Sequence, residues 1–135
     1  MLVPCEIAVK CLLPAIRAML AQELTTEHGL KQTETAKLLG VSQPAISLYY
    51  RRIRGKAINL EKDPEITKLI KEFANTMACG SESLSHKEFI QKFCEICKLI
   101  RSKGLMCELH KIFDPQIDIE KCELCLAIGD FNCFR

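Results

Sequence analysis

At 135 residues, 48% of them hydrophobic but only 6% aromatic and none Trp, the chain allows one domain, or two small ones sharing a short linker. Glu6, Lys10 and Arg17 interrupt the apolar N-terminal stretch and Pro4 and Pro14 break it. No run therefore approaches the roughly 18–20 apolar residues of a membrane span, and a cytoplasmic protein without a targeting segment is expected. The net charge of +2 conceals an asymmetry: residues 1–60 carry eight Lys/Arg against four Asp/Glu, and residues 61–135 carry eleven against thirteen.

Residues 4–28 read as helix in two pieces, because Pro14 suits a first helical turn and places a break near Leu12 and Leu13. In the second piece Ile16, Met19, Leu20 and Leu24 fall at helical spacing, and Gly29 ends it. This stripe supports a core, or alternatively forms a dimerisation face. Residues 32–51, QTETAKLLGVSQPAISLYYR, then read as two short helices joined through Gly40, Val41 and Ser42. Gly40 takes the turn position that favours positive φ, Ser42 caps the second helix, and Val41 with Ile46 forms a hydrophobic staple across that cap. Ala36 sits where the helices cross. The pattern is a helix-turn-helix, and it lies in the basic half, as binding to DNA phosphates favours.

In such a motif the first turn of the second helix meets base edges while flanking groups hold phosphates. Ser42, Gln43 and Ser47 are the expected base-facing set, with Pro44 and Leu48 beside them. The Gln43 amide donates and accepts together, as adenine requires. Gln32 and Thr33 are placed for a phosphate. Arg51, Arg52, Arg54 and Lys56 form a cationic run with no acid between Gln43 and Lys56, suited to backbone contacts that position without choosing sequence. Of the neighbours Tyr49 and Tyr50, about 100° apart on a helix, one is expected to pack and Tyr50 is assigned to the DNA face. The second helix is expected to run from Gln43 to about Ile53 and stop at Gly55.

After a connection over residues 56–63, Asp63 caps a helix with Pro64 in its first turn, and Ile66, Leu69, Ile70, Phe73 and Met77 mark one face before Gly80. A polar loop follows. Ser85 with Glu88 makes a capping box for a helix to Lys103, with Gly104 at its end. Residues 105–117 read as irregular, with a turn at Asp114-Pro115. Asp118 is expected to cap a last helix through about Ile128, before Gly129. No strand pattern emerges, so the expected fold is all-α: a repressor-like helix-turn-helix bundle over residues 1–60 and a small helical Cys-rich domain over 61–135. The apolar faces of the two long helices are offered as a dimer seam.

Nine cysteines, an odd number, in a chain expected in a reducing compartment argue for thiolates rather than disulfides. Cys94 and Cys97 sit at i, i+3, Cys122 and Cys125 repeat the spacing, and Cys107 lies between the pairs. These five are the expected metal ligands. Four thiolates suit structural zinc. An iron–sulfur cluster, such as 4Fe-4S, tolerates ligands from separate helices and loops around an apolar pocket, and Phe89, Phe93, Ile96 and Leu109 are near in sequence. Free thiols acting through reversible disulfides are the third alternative. Cys5, Cys11, Cys79 and Cys133 read as filler, and His110, three residues after Cys107, as an exposed side chain unless it completes a zinc site. No paired acid/base set or phosphate loop points to an enzyme.

The stretches VPCEIAVKCLLPAIRAML, ELTTEHGLKQTETAKLLGVSQPAISLYYR, FCEICKLIRSKGLMCELH and CELC together resemble a family of small archaeal transcription regulators with an Xre-type helix-turn-helix and a Cys-rich C-terminal domain. The resemblance implies a homodimeric regulator acting on a double-stranded DNA operator. It also implies that the C-terminal domain binds an iron–sulfur cluster and reports redox or sulfur status.

Overall fold

Helices supply every regular element among the described residues (2–51, 55, 57–79 and 84–125) of the computed structural model, and no strand occurs among them. Helix α1 (Pro4–Ile7) passes through a π turn (Ala8–Leu12) into α2 (Leu13–Thr26). The expected break at Leu12 and Leu13 is therefore corrected to a continuous helix with one widened turn. Pro14 offers no N–H, and its ring would clash with the carbonyl four residues back in regular α geometry. The chain relieves this by bonding the Leu13 amide to the Ala8 carbonyl, five residues back.

Helices α3 (Gln32–Leu39) and α4 (Gln43–Tyr50) are joined through Gly40, at φ +67°, and Ser42, whose hydroxyl accepts from the Ala45 amide at 3.3 Å. Both pack on α2. Ile46 is fully buried, and half-buried Val41 packs against the same cluster. Helix α4 stops at Tyr50 rather than near Ile53. Arg51 leaves helical geometry at ψ 1°, and Arg52, Ile53, Arg54 and Lys56 lie outside the described residues.

The Asp63 carboxylate accepts from the Glu65 and Ile66 amides at 3.0 and 3.2 Å and so caps α5 (Pro64–Cys79). The expected ends at Gly80 and Gly129 fall outside the described residues. Ser85 and Glu88 close the capping box of α6 (His86–Ser102). Phe73 of α5 meets Phe89 of α6 with ring centroids 5.3 Å apart. The dimer seam expected on these helices is corrected: Ile66, Ile70, Phe73 and Met77, together with Ile96 and Ile100, are buried within this chain. One buried cluster runs from Ile7 to Met106, and α5 packs on α2.

Residues 105–117 are not irregular: α7 (Cys107–Phe113) forms there and packs on α1. The last helix is shorter than expected. Helix α8 (Ile119–Cys122) ends where Glu123 takes φ +47°, and the Asp118 side chain makes no cap bond.

Lys103, at the end of α6, bonds Asp63 at 2.9 Å and Glu65 at 2.7 Å, tying the end of one long helix to the start of the other. The Lys103 bond holds the Asp63 carboxyl below the usual carboxylate range, and Ser85 does the same for Glu88. Asp114 is lowered by the Leu2 amide. Depressed carboxylate values mean that the folded state binds fewer protons than the unfolded one. Their stabilisation is thus present at neutral pH and lost as pH falls below about 5. The Lys103 ammonium is raised by Glu65 and Asp63, so its contribution is present at neutral pH and lost in strong alkali. Urea midpoints measured across pH are expected to fall on both sides, and Asp63→Asn is expected to flatten both limbs.

Candidate nucleic-acid interface and cysteine site

The start of α4 is solvent-exposed at Ser42, Gln43 and Pro44. Pro44 has no amide hydrogen and the Ala45 amide is taken by Ser42, so this helix end has little left to offer through its backbone. Recognition at this end falls to side chains. Gln43 donates from Nε2 to Oε1 of Gln32 at 2.6 Å. That bond restrains the Gln43 amide and uses one of its N–H groups, so that its Oε1 and second N–H remain for a partner, while Gln32 keeps its own NH₂ donors. Sequence reasoning assigned the two residues separate roles and missed their bond, because they lie on different helices.

Thr33 is exposed at the start of α3, and Ser47 is half-buried one turn beyond Gln43. Tyr49 is packed and Tyr50 is 47% exposed. Exposed Arg51 donates from Nε to the Ser47 carbonyl at 3.4 Å, which leans it along α4. The face so assembled offers neutral hydrogen-bonding groups at its centre and a cation at one end. Arg52 and Arg54 lie outside the described residues.

The second site is built from the C-terminal cysteines. Cys107, Cys122 and Cys125 share the wall of a cavity of about 30 Å³ with Met106, His110 and Ile119. Burial pushes the Cys107 thiol up, and Cys125 and Cys122 add to it as neighbouring negative charges. Cys97 is buried on α6 and Cys94, one turn earlier, is half-buried. Cys122 and Cys125 do not share a helix face as expected. Glu123 ends the helix between them, so Cys125 turns inward while Cys122 is exposed. Among the described residues no group of three or more His, Cys, Asp or Glu is arranged to hold a metal ion.

Neither a family model, nor a characterised protein, nor a solved structure matches this chain. The sites are therefore read from their own chemistry.

Arg101 lies among the thiols. It is 5% exposed, and its Nε donates to the Cys125 sulfur at 3.4 Å. Burial opposes its charge, while the bond to Cys125 and the electrostatic influence of Cys125, Cys97 and Cys5 raise its pKa, with the net direction upward. Cys5, read from sequence as filler, is an exposed residue of α1 within electrostatic reach of this cation. Cys79 is also exposed, whereas Cys11 is the buried filler expected, its thiol pushed up by burial. Cys133 lies outside the described residues.

His110 is corrected from exposed to 6% exposed. Its Nε2 is 2.8 Å from the Leu2 carbonyl, and Asp114, one turn on, accepts from the Leu2 amide at 3.1 Å. Lys10 stands over the Phe113 ring at 5.4 Å. Helix α7 thus both lines the thiol cavity and holds the start of the chain, and His110 takes part in each. The available signal was the i, i+4 pair of His110 and Asp114, but its partner lies more than a hundred residues away in sequence.

Proposed function

We propose that this protein is a sequence-specific DNA-binding transcription regulator whose hold on its operator is set by a thiolate-held iron–sulfur cluster at the C-terminal cysteines. The observation that carries the DNA reading is the Gln43–Gln32 bond at an exposed, capped helix start. A bonded glutamine presents one donor and one acceptor in a fixed plane, which matches the N6 and N7 edge of adenine in the major groove. Gln32 and Thr33 are placed for a phosphate, and Arg51, with Arg52 and Arg54 following in sequence, for the backbone beyond it. Helices α3 and α4 act together as a helix-turn-helix. A homodimer would present two such units to half-sites about 34 Å apart.

What supports a thiophilic metal group is the kind of donor and not its arrangement: three thiols line one cavity with apolar neighbours, and a buried cation has sulfur as its partner. Cys97, Cys107, Cys122 and Cys125, with Cys94 beside them on α6, are the residues that would hold it. A bound cluster supplies a redox-sensitive, ligand-exchanging centre. The chain's own part is to couple that site to the reader: α7 lines it and bonds to Leu2, and α1 continues through the π turn into α2, on which α3 and α4 pack.

Zinc is the second reading, favoured by one observation. The Cys122–Cys125 pair lies in a tight turn with Glu123 at positive φ, and the cavity has room for a water or a single ion. Strictly anaerobic purification, with iron, sulfide and zinc assays on one sample and selection of bound duplexes from a random pool, separates the readings. Iron with matching sulfide and a single enriched sequence supports the proposal. One zinc per chain moves the metal to a structural role, and no enriched sequence removes the DNA reading.

A further inference from the structure

The cysteines have a chemistry of their own, apart from any metal. Cys107 on α7 and Cys125 in the turn after α8 both line the cavity of about 30 Å³. Residues that share so small a void are neighbours in space, and α8 packs on α7, so the elements that carry them touch. Cys122 borders the cavity as well, but it is exposed while Cys125 is buried, with Glu123 at positive φ between them. Side chains that diverge in this way are poor disulfide partners. The rim of the cavity includes exposed Cys122, Glu123 and Leu124, so it opens to solvent, and its volume exceeds the roughly 10–15 Å³ that one water needs. A small neutral oxidant can enter it. Arg101, 5% exposed, donates from Nε to the Cys125 sulfur at 3.4 Å. A cationic donor on a sulfur is the setting of reactive cysteines, as opposed to those that only fill space.

We propose that Cys125 is a peroxide-reactive thiol and Cys107 its resolving partner, and that the two close a reversible disulfide at the cavity. The Cys125 sulfur attacks one oxygen of hydrogen peroxide, the O–O bond breaks, and a sulfenic acid forms with release of water. The Cys107 sulfur then attacks the sulfenic sulfur, the S–O bond breaks, and a second water leaves as the S–S bond forms. Two thiols give up two electrons, and one peroxide takes them to become two waters. A dithiol reverses the bond by exchange. The disulfide ties α7, which holds Leu2 through His110 and Asp114, to the turn after α8. The inference goes beyond the proposed function, since it concerns the thiols themselves and needs no metal group.

The test treats the reduced full-length chain, with a chelator present, with hydrogen peroxide, then blocks free thiols and maps the peptides by mass spectrometry. The expected product is a Cys107–Cys125 cross-link that forms faster than exposed Cys79 is oxidised and that a dithiol removes. Cys107→Ser is expected to stop at a sulfenic acid on Cys125. Arg101→Gln is expected to slow the cross-link about 10–100-fold, the range one charge-assisted hydrogen bond supports, with Arg101→Lys in between. In urea the preference of the wild-type chain is expected to vanish, which reads the fold without relying on a variant. A wild-type chain whose Cys107 and Cys125 are oxidised no faster than Cys79 overturns the proposal and leaves the proposed function standing. Pairing of Cys125 with Cys122 or any other cysteine, or an unchanged preference in urea, overturns it equally.

Discussion

Replacing Phe73 by Ala is expected to lower folding stability by about 3–5 kcal/mol, a large part of the roughly 5–15 kcal/mol that holds a domain folded. Phe73 is 2% exposed and sits where α5 meets both the N-terminal bundle and α6, with its ring against Phe89. Truncation removes that contact and leaves a cavity in the middle of the continuous buried cluster, where packed neighbours collapse only in part. Urea unfolding is the measurement, with the midpoint falling and the slope unchanged. A loss within the ±0.5 kcal/mol typical of surface changes would show that the two helices do not share the described core. Phe89→Ala, at a half-buried ring, is expected to cost less.

Gln43→Ala is expected to weaken binding to the selected operator by about 1–3 kcal/mol, or roughly 5–150-fold, and to relax preference at a single base position. The salt dependence should stay as in the wild type, because a neutral amide releases no counterion. Arg51→Ala should do the reverse, weakening all sequences alike and lowering the salt slope by about one. Gln32→Ala tests the bond itself: removing the acceptor frees the Gln43 plane, so the double variant should lose less than the sum of the two single changes. Electrophoretic or fluorescence titration at several salt concentrations reads all four variants. Additive losses would argue that the two glutamines act separately.

Much of the helical layout was legible because it is written locally. Ser42, Asp63 and the Ser85–Glu88 box each act on amides within three residues, and Gly40 answers to its own φ. Chemistry of such short reach survives in a single sequence. Helix α7 does not have that property. Seven residues are too few to form a helix unaided, and its anchor is a backbone met 108 and 112 positions away. The early end of α8 was hidden for a related reason, since Glu123 is not a residue that announces positive φ. Arg101 was readable in part. It shares the buried stripe of Ile96, Cys97 and Ile100, and a charge on such a stripe asks for a partner, but only the fold shows that the partner is the Cys125 sulfur.

The π turn at Ala8–Leu12 sets the phase between α1 and α2. A regular helix advances about 100° for each residue, so a turn that absorbs one extra residue rotates everything before it by that angle relative to everything after. Leu2 and Cys5 stand on one side of this offset, and α2 with α3 and α4 on the other. Deleting Val9, whose side chain is 60% exposed, would remove the extra residue and bring back the clash of the Pro14 ring with the carbonyl four residues before it. It would also swing Leu2 away from His110 and Ile7 out of the buried cluster. A one-residue change in length at this turn would therefore be felt both in the core around Ile7 and in the grip of α7 on the start of the chain.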